Sequence, residues 1–195
     1  MDADMQRRFS WPAPLLAFLA SLAVVVATPL MVVGATDRPR EEPYVPFVPT
    51  PEAVVEEMLE IAKVSSRDTV YDLGSGDGRI VIAAARRGAR AVGIEINPDL
   101  IREATEYAER AGVAHLVRFV EGDFFAADLR EATVVTLYLL PEVNRQLLPK
   151  LLAELQPGTR ILSYKYDLGD WAPQKTVHVS RGTVYYWVIP ARQRY

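Results

Sequence analysis

From residue 51 onward, the apolar positions switch between two spacings. "PEAVVEEMLEIAKV" sets Val54, Val55, Met58, Leu59 and Ala62 at the period of a helix, with Thr50 as its N-cap and Pro51 at its first position. "TVYDLG" then reads as a buried strand, and "GRIVIAAARRG" as a helix closed by Gly88. "ARAVGIEI" is a second strand, followed by the helix "PDLIREATEYAERAG" with Asn97 as its cap. "LVRFVEGD" and "ATVVTLYLL" are strands three and four, "PEVNRQLLPKLLAELQPG" is a helix, and "TRILSYKY" is a fifth strand. "KTVHVS" and "TVYYWVIP" close the chain as an antiparallel pair around Arg181 and Gly182. Such alternation predicts an α/β fold with a mostly parallel sheet covered on both faces.

The N-terminal part has a different pattern. After a short mixed tail (1–14), the run Leu15 to Ala35 holds 21 residues without a charge. As a helix it spans about 32 Å, close to the thickness of a bilayer's hydrocarbon core. The leading reading is an uncleaved transmembrane anchor. The alternatives are a signal peptide cut after Val33-Gly34-Ala35, whose apolar region is normally shorter, and a buried core helix. Residues 36–51, "TDRPREEPYVPFVPTP", are proline-rich and favour extended backbone. Tyr44, Val45, Phe47 and Val48 are too apolar for a pure spacer, so this linker is expected to pack in part on the domain at 52–195.

Composition narrows the chemistry. The net charge of −3 gives no basic footprint for nucleic acid. With no cysteine in the chain, disulfides, thiolate metal sites and thiol nucleophiles are absent. The two histidines, His115 and His178, lie far apart with no metal-ligand spacing around either.

"VYDLGSGDGR" is the strongest motif. It departs from the dinucleotide fingerprint, because Arg79 stands where the third glycine would be. Asp72, ending the strand, would repel a pyrophosphate but attract a cation. S-adenosylmethionine carries a sulfonium and an ammonium and no phosphate, so the motif points to a methyl donor. Glu95 ends the next strand and can accept from both ribose hydroxyls. Asp123, after strand three, can accept from the adenine amino group while Phe124 packs on the ring. Asp123 also reads as a solvated turn acid, and Phe124 as core. Gly74, Ser75, Gly76, Gly78 and Asn97 complete the candidate cofactor set.

With these residues in place, the segment from about Pro43 to Pro190 resembles the class I S-adenosylmethionine-dependent methyltransferases. Within that class it is similar to the small membrane-anchored protein-lysine methyltransferases that act on the adenine nucleotide translocase or the ATP synthase c-subunit. The resemblance rests on "PYVPFVPTP", "VYDLGSGDGR", "LYLLPEVNRQLLPKL" and "DWAP". It implies a three-layer Rossmann-like sandwich: a seven-stranded mostly parallel sheet with one antiparallel strand, preceded by a membrane helix. It also implies a protein lysine as acceptor, on a membrane protein or near a membrane, and a lid over the cofactor from Pro46 to Thr50.

Class I enzymes place the residues facing the methyl group after strand four. Here "LYLLP" has neither Asn nor Asp, which argues against planar amides and bases as acceptors. Tyr138, its only polar side chain, can orient an amine, though it also reads as an ordinary buried tyrosine. Trp171, with Tyr164 and Tyr166, can wall the amine channel or simply pack. Lys165 and Arg79 read as solvated charges. Two other functions compete: methylation of a lipid or small amine, and cofactor binding without turnover. Because the methyl donor is made in the cytoplasm, the domain of a working enzyme is expected to face that side of the membrane.

Overall fold

Seven strands join in one sheet of order β3-β2-β1-β4-β5-β7-β6. β1 (Thr69–Leu73), β2 (Arg90–Glu95), β3 (Val117–Glu121), β4 (Val134–Leu137) and β5 (Arg160–Tyr164) are parallel neighbours. β7 (Gly182–Val188) runs against both β5 and β6 (Lys175–Val179), so it is the one reversed strand. This is the Rossmann-like methyltransferase architecture that the alternation and the resemblance predict. The computed structural model describes residues 47–191; the uncharged run at 15–35 and most of the proline-rich segment lie outside them. Among the described residues, no helix is long and apolar enough to cross a membrane.

Alternation along the strands decides which helix covers which face. Val70, Val134, Leu162 and Val184 join Val54, Met58 and Leu59 of α1 (Glu52–Ile61) and Ile80, Val81 and Ala84 of α2 (Arg79–Arg86) in one core. Leu73, Val135, Leu137, Ile161 and Trp187 point the other way, onto Leu147 and Leu151 of α4 (Pro141–Glu154) and Leu155 just beyond it. Each such buried side chain contributes about 1.5–3 kcal/mol. Ala108 of α3 (Pro98–Arg110) packs beside Ile82 and Ala85 in a third, smaller cluster.

Two boundaries differ from the sequence reading. Thr50 does not cap α1; Pro51 holds the cap position, its carbonyl accepting from Val54 and Val55 at 2.9 and 3.0 Å. Thr50 is instead buried, with its carbonyl taken by Arg79 at 2.9 Å. β4 also ends early, at Leu137, and Tyr138 to Leu140 leave the sheet. The residue before a proline is pushed to extended backbone, and Leu140 adopts φ −63° and ψ 153° ahead of Pro141, the first residue of α4.

Gly93, in the middle of β2, is required for a close approach. A Cβ there would lie 2.5 Å from Ser75 Oγ and 2.8 Å from a ring carbon of Phe119. Gly93→Ala is therefore expected to destabilise the fold by about 1–3 kcal/mol, read as a lower urea midpoint, since neither backbone-anchored neighbour can move freely. A midpoint equal to wild type would show that the loop after β1 is looser than this packing requires.

Candidate active site

The turn after β1 bends sharply, with Gly74, Gly76 and Gly78 at φ +78°, +54° and +77°. The N–H groups of its three glycines and of Ser75 are used within the protein. Gly74 and Ser75 both donate to the Ile94 carbonyl, at 2.9 and 3.0 Å, and Gly78 donates to the Ser75 carbonyl at 2.9 Å. Gly76 donates to Glu95 Oε2 at 2.9 Å. A loop that cradles phosphate needs those N–H groups pointing at the ligand, so this one is built for a ligand without phosphate. Gly78 takes over the packing role of the missing third glycine: a Cβ on it would sit 2.6 Å from the Phe119 ring and 2.8 Å from Ala104 of α3.

Asp72 is 3% exposed and accepts from Thr136 Oγ1 at 2.7 Å. Burial, and the negative charges of Asp77 and Glu95, push its carboxyl up to about 7, against the opposing bond from Thr136. A cationic ligand beside it would restore the ionised form.

Glu95 also holds the loop together. Besides the bond from Gly76, its Oε1 accepts from Ile96 and Asn97 at 2.9 and 3.0 Å. A carboxylate has about four acceptor sites, so roughly one remains, not enough for both ribose hydroxyls while the loop bonds hold. Asn97 caps α3 as expected, accepting from Asp99 at 2.9 Å. Ser75 is turned inward: its buried hydroxyl lies against Gly93 and has no hydrogen-bond partner. Asp123 is exposed and accepts from Phe125 at 2.8 Å. Phe124 packs against the core on the α4 face, while Phe125 is 37% exposed at the same strand end.

Three further residues stand at this edge, of which Ile96 has no expected role, Phe47 belongs to the expected lid and Arg79 reads as a solvated charge. Ile96, directly after Glu95, is 53% exposed, unusual for an isoleucine at the end of a buried strand. The Phe47 ring lies on Gly76, where an added Cβ would be 2.1 Å from a ring carbon. Arg79 is no free solvated charge. It pairs with Asp77 through Nε at 2.9 Å and holds the Thr50 carbonyl, which ties the segment from Phe47 to the glycine turn. Ile96 had a local signal, an apolar residue following a strand-end acid, and Phe47 had another, an aromatic ring in a proline-rich linker.

On the far side of β4 the chemistry changes. Tyr138 is half-buried and meets Tyr164 edge-on, with centroids 4.8 Å apart at 61°. Lys165 is exposed, as its reading as a solvated charge expects, and its ammonium also donates to the Tyr138 hydroxyl at 2.8 Å. Trp171 is not brought beside Tyr138. It packs on Trp187, 6.0 Å between centroids, and its carbonyl accepts from Trp187 Nε1 at 2.8 Å, on the face that α4 covers. Asn144 of α4 is fully buried and donates to Ser163 at 3.2 Å and to the Asp167 carbonyl at 2.9 Å, which anchors the loop after β5.

Comparison with known proteins places this geometry in a family. Residues 72–175 match the family described as the ANTKMT methyltransferase domain. A protein-lysine N-methyltransferase of Saccharolobus islandicus is 52% identical over 153 residues, covering 75% of this chain and 95% of that protein. A Mus musculus lysine N-methyltransferase of the ATP synthase c-subunit is 32% identical over 198 residues, covering 99% of this chain and 77% of its own length. A solved structure from Salinibacter ruber, described as an RNA methyltransferase in complex with S-adenosyl-L-homocysteine, is 58% identical with a TM-score of 0.73. It covers 75% of this chain and 97% of that one. With a phosphate-free glycine turn and a buried acid at the end of β1, the chain belongs to the ANTKMT methyltransferase domain family and is an S-adenosylmethionine-dependent methyltransferase.

Proposed function

We propose that this enzyme methylates a lysine side chain of a protein, and that its substrate lies in or beside a membrane. The observation that carries the acceptor class is the exit of β4. Leu137 to Pro141 offers one hydroxyl, that of Tyr138, between apolar side chains, with no amide or carboxylate to grip the edge of a base. A phenol can align an amine through its oxygen and its ring. The lysine-methylating relatives point the same way. The Salinibacter ruber protein's description raises RNA as a second acceptor, which a net charge of −3 disfavours without excluding.

S-adenosylmethionine, when bound, supplies a methyl carbon already activated by its sulfonium. The chain's own residues then have limited work to do. Asp72 would meet the cationic end of the donor, Glu95 would offer its remaining lone pair to a ribose hydroxyl, and Ile96 and Phe125 would give apolar walls beyond β2 and β3. The Phe47 segment excludes water above the glycine turn. The acceptor must arrive as a neutral amine, because an ammonium has no lone pair. That lone pair forms the new N–C bond as the C–S bond breaks, and the proton lost beforehand goes to solvent. The uncharged run at 15–35 supports a tether that raises the concentration of a membrane-bound substrate, with the domain on the cytoplasmic side.

Incubating the full chain with radiolabelled S-adenosylmethionine and membranes of its own organism tests the reading. Alkali-resistant label is expected in one protein band, and mass spectrometry should find it on lysine. Label confined to lipid or to RNA would replace the proposal with one of its rivals. Tyr138→Phe is expected to lower kcat about tenfold or more while leaving cofactor affinity unchanged.

Asp72 gives two pH-dependent expectations. Only its ionised form attracts the sulfonium, so S-adenosylmethionine should bind up to about tenfold more tightly at pH 8 than at pH 6, with a smaller change for S-adenosylhomocysteine. Calorimetric titration of wild type and Asp72→Asn checks this, and the dependence should vanish in the variant. The same raised pKa affects stability. The folded chain retains a proton that the unfolded chain releases, so this contribution is full below about pH 4 and is lost as pH rises through about 7. The stability advantage of Asp72→Asn over wild type should therefore grow by about 2–3 kcal/mol between pH 5 and pH 8 in urea denaturation. A constant difference would mean that Asp72 is solvated.

A further inference from the structure

Lys165 occupies a turn that lysine ordinarily avoids. Its φ is +67°, in the left-handed region that favours glycine. The turn is closed by Tyr166 N–H donating to the Tyr164 carbonyl at 2.9 Å, and Lys165 N–H donates to Thr183 on β7 at 2.8 Å. Asn144 holds the next residues through the carbonyls of Tyr166 and Asp167, at 3.4 and 2.9 Å. Backbone held in such a conformation persists only where its surroundings enforce it, and such residues cluster at functional sites.

The side chain then does something specific. Its Nζ donates to the Tyr138 hydroxyl at 2.8 Å and lies 5.3 and 5.5 Å from the ring centroids of Tyr138 and Tyr164. Among the described residues it forms no ion pair with a carboxylate. A solvent-exposed ammonium with no carboxylate partner thus lies on the Tyr138 hydroxyl, the one polar side chain between Leu137 and Pro141.

We propose that Lys165 is a positioning residue for methyl transfer: it pins the Tyr138 hydroxyl and sets a permanent positive charge beside the incoming amine, which favours the amine's neutral form. The inference rests on the lysine reading above. Tyr138 accepts from Lys165 on one side and keeps its own O–H and remaining lone pair for the substrate amine. A like charge nearby depresses the proton affinity of an amine, the device by which cationic neighbours activate lysine nucleophiles elsewhere. Lys165 does not compete as a nucleophile. The hydrogen bond to Tyr138 raises its own proton affinity, so it remains an ammonium. The titratable groups facing it are Tyr138, Tyr164 and Tyr166. The β6–β7 hairpin adds His178, bonded to Thr183 at 3.3 Å, and Arg181, whose carbonyl accepts from Tyr164.

The test uses the full chain and the protein band labelled in the membrane experiment as substrate. Lys165→Met should lower kcat between about tenfold and a hundredfold with the KM for S-adenosylmethionine unchanged. It should also move the acid limb of the kcat profile up by about half to one pH unit, because the substrate amine then holds its proton more tightly. Lys165→Arg keeps the charge and should leave that limb in place even if kcat falls. A wild-type kcat in Lys165→Met, an unmoved limb, or a rise in kcat/KM from freeing the site would each overturn the proposal.

A second readout needs no turnover. The chain has four lysines, Lys63, Lys150, Lys165 and Lys175, so isotope-labelled lysine resonances are resolvable. Tyr138→Phe should lower the titration midpoint of Lys165 alone. An unshifted midpoint removes the contact and the proposal with it. Absence of methylated protein from the wild-type enzyme would instead overturn the lysine reading, and this role along with it, whereas an active wild type with an indifferent Lys165→Met overturns the role only.

Discussion

The carbonyl oxygen of Ile94 accepts from both Gly74 and Ser75, and the rest of the site is arranged around that shared acceptor. It draws the glycine turn sideways onto the end of β2 and takes two N–H groups away from any ligand. The approach is possible only because Gly93 has no side chain where Ser75 and Phe119 pass. Glu95 completes the closure by holding Gly76. A turn whose donors face inward has nothing for a pyrophosphate, while the carboxyl of Asp72 is left at its base. Selectivity for a cationic, phosphate-free nucleotide is thus a property of backbone hydrogen bonding before any side chain contacts the ligand.

Most of the fold was legible because its signals are periodic. Among the described residues the apolar spacing located the seven strands and four α-helices, and the alternation predicted a mostly parallel sheet. The differences fell where apolar spacing carries no information, at caps, strand ends and turns. Thr50 reads as a cap from its neighbours, yet Arg79 claims its carbonyl across 29 positions. Strand four reads as continuing to Leu140 because its residues are apolar, but Pro141 dictates where α4 begins and so where the strand must end. Phe124 and Phe125 are indistinguishable in sequence; which one enters the core depends on the turn that Asp123 closes.

The site was legible in its acids and less so in everything else. A strand-end Asp or Glu has a position that implies a direction. Lysine and arginine carry long stems and are usually solvated, so neither Arg79 nor Lys165 announces its partner. Lys165 is an exposed charge, distinguished by its left-handed backbone and the ring pair beneath its ammonium. Trp171 shows the converse. An aromatic residue just past a strand end reads as part of a channel, but it lies across the sheet from Tyr138, filling the α4 face against Trp187.

These placements divide the carboxyl edge of the sheet by charge. Asp72 is the next-to-last residue of β1, Glu95 the last of β2 and Asp123 lies two residues past β3, while the exits of β4 and β5 carry Tyr138, Tyr164 and the ammonium of Lys165. A methyl transfer to an amine needs opposite environments for two partners that are both cations in water. The donor must keep its charge, and a carboxylate favours that. The acceptor must lose its charge, and a neighbouring ammonium favours that. A single acidic edge would hold both partners charged and leave no lone pair to react, while a single basic edge would repel the donor. The strand order keeps the two environments apart and adjacent, since β1 and β4 are hydrogen-bonded neighbours. The boundary between them runs through Thr136, which belongs to β4 but donates to Asp72 of β1. On this argument the division of charge along the edge is a requirement of the reaction, and the position of Lys165 is its less conspicuous half.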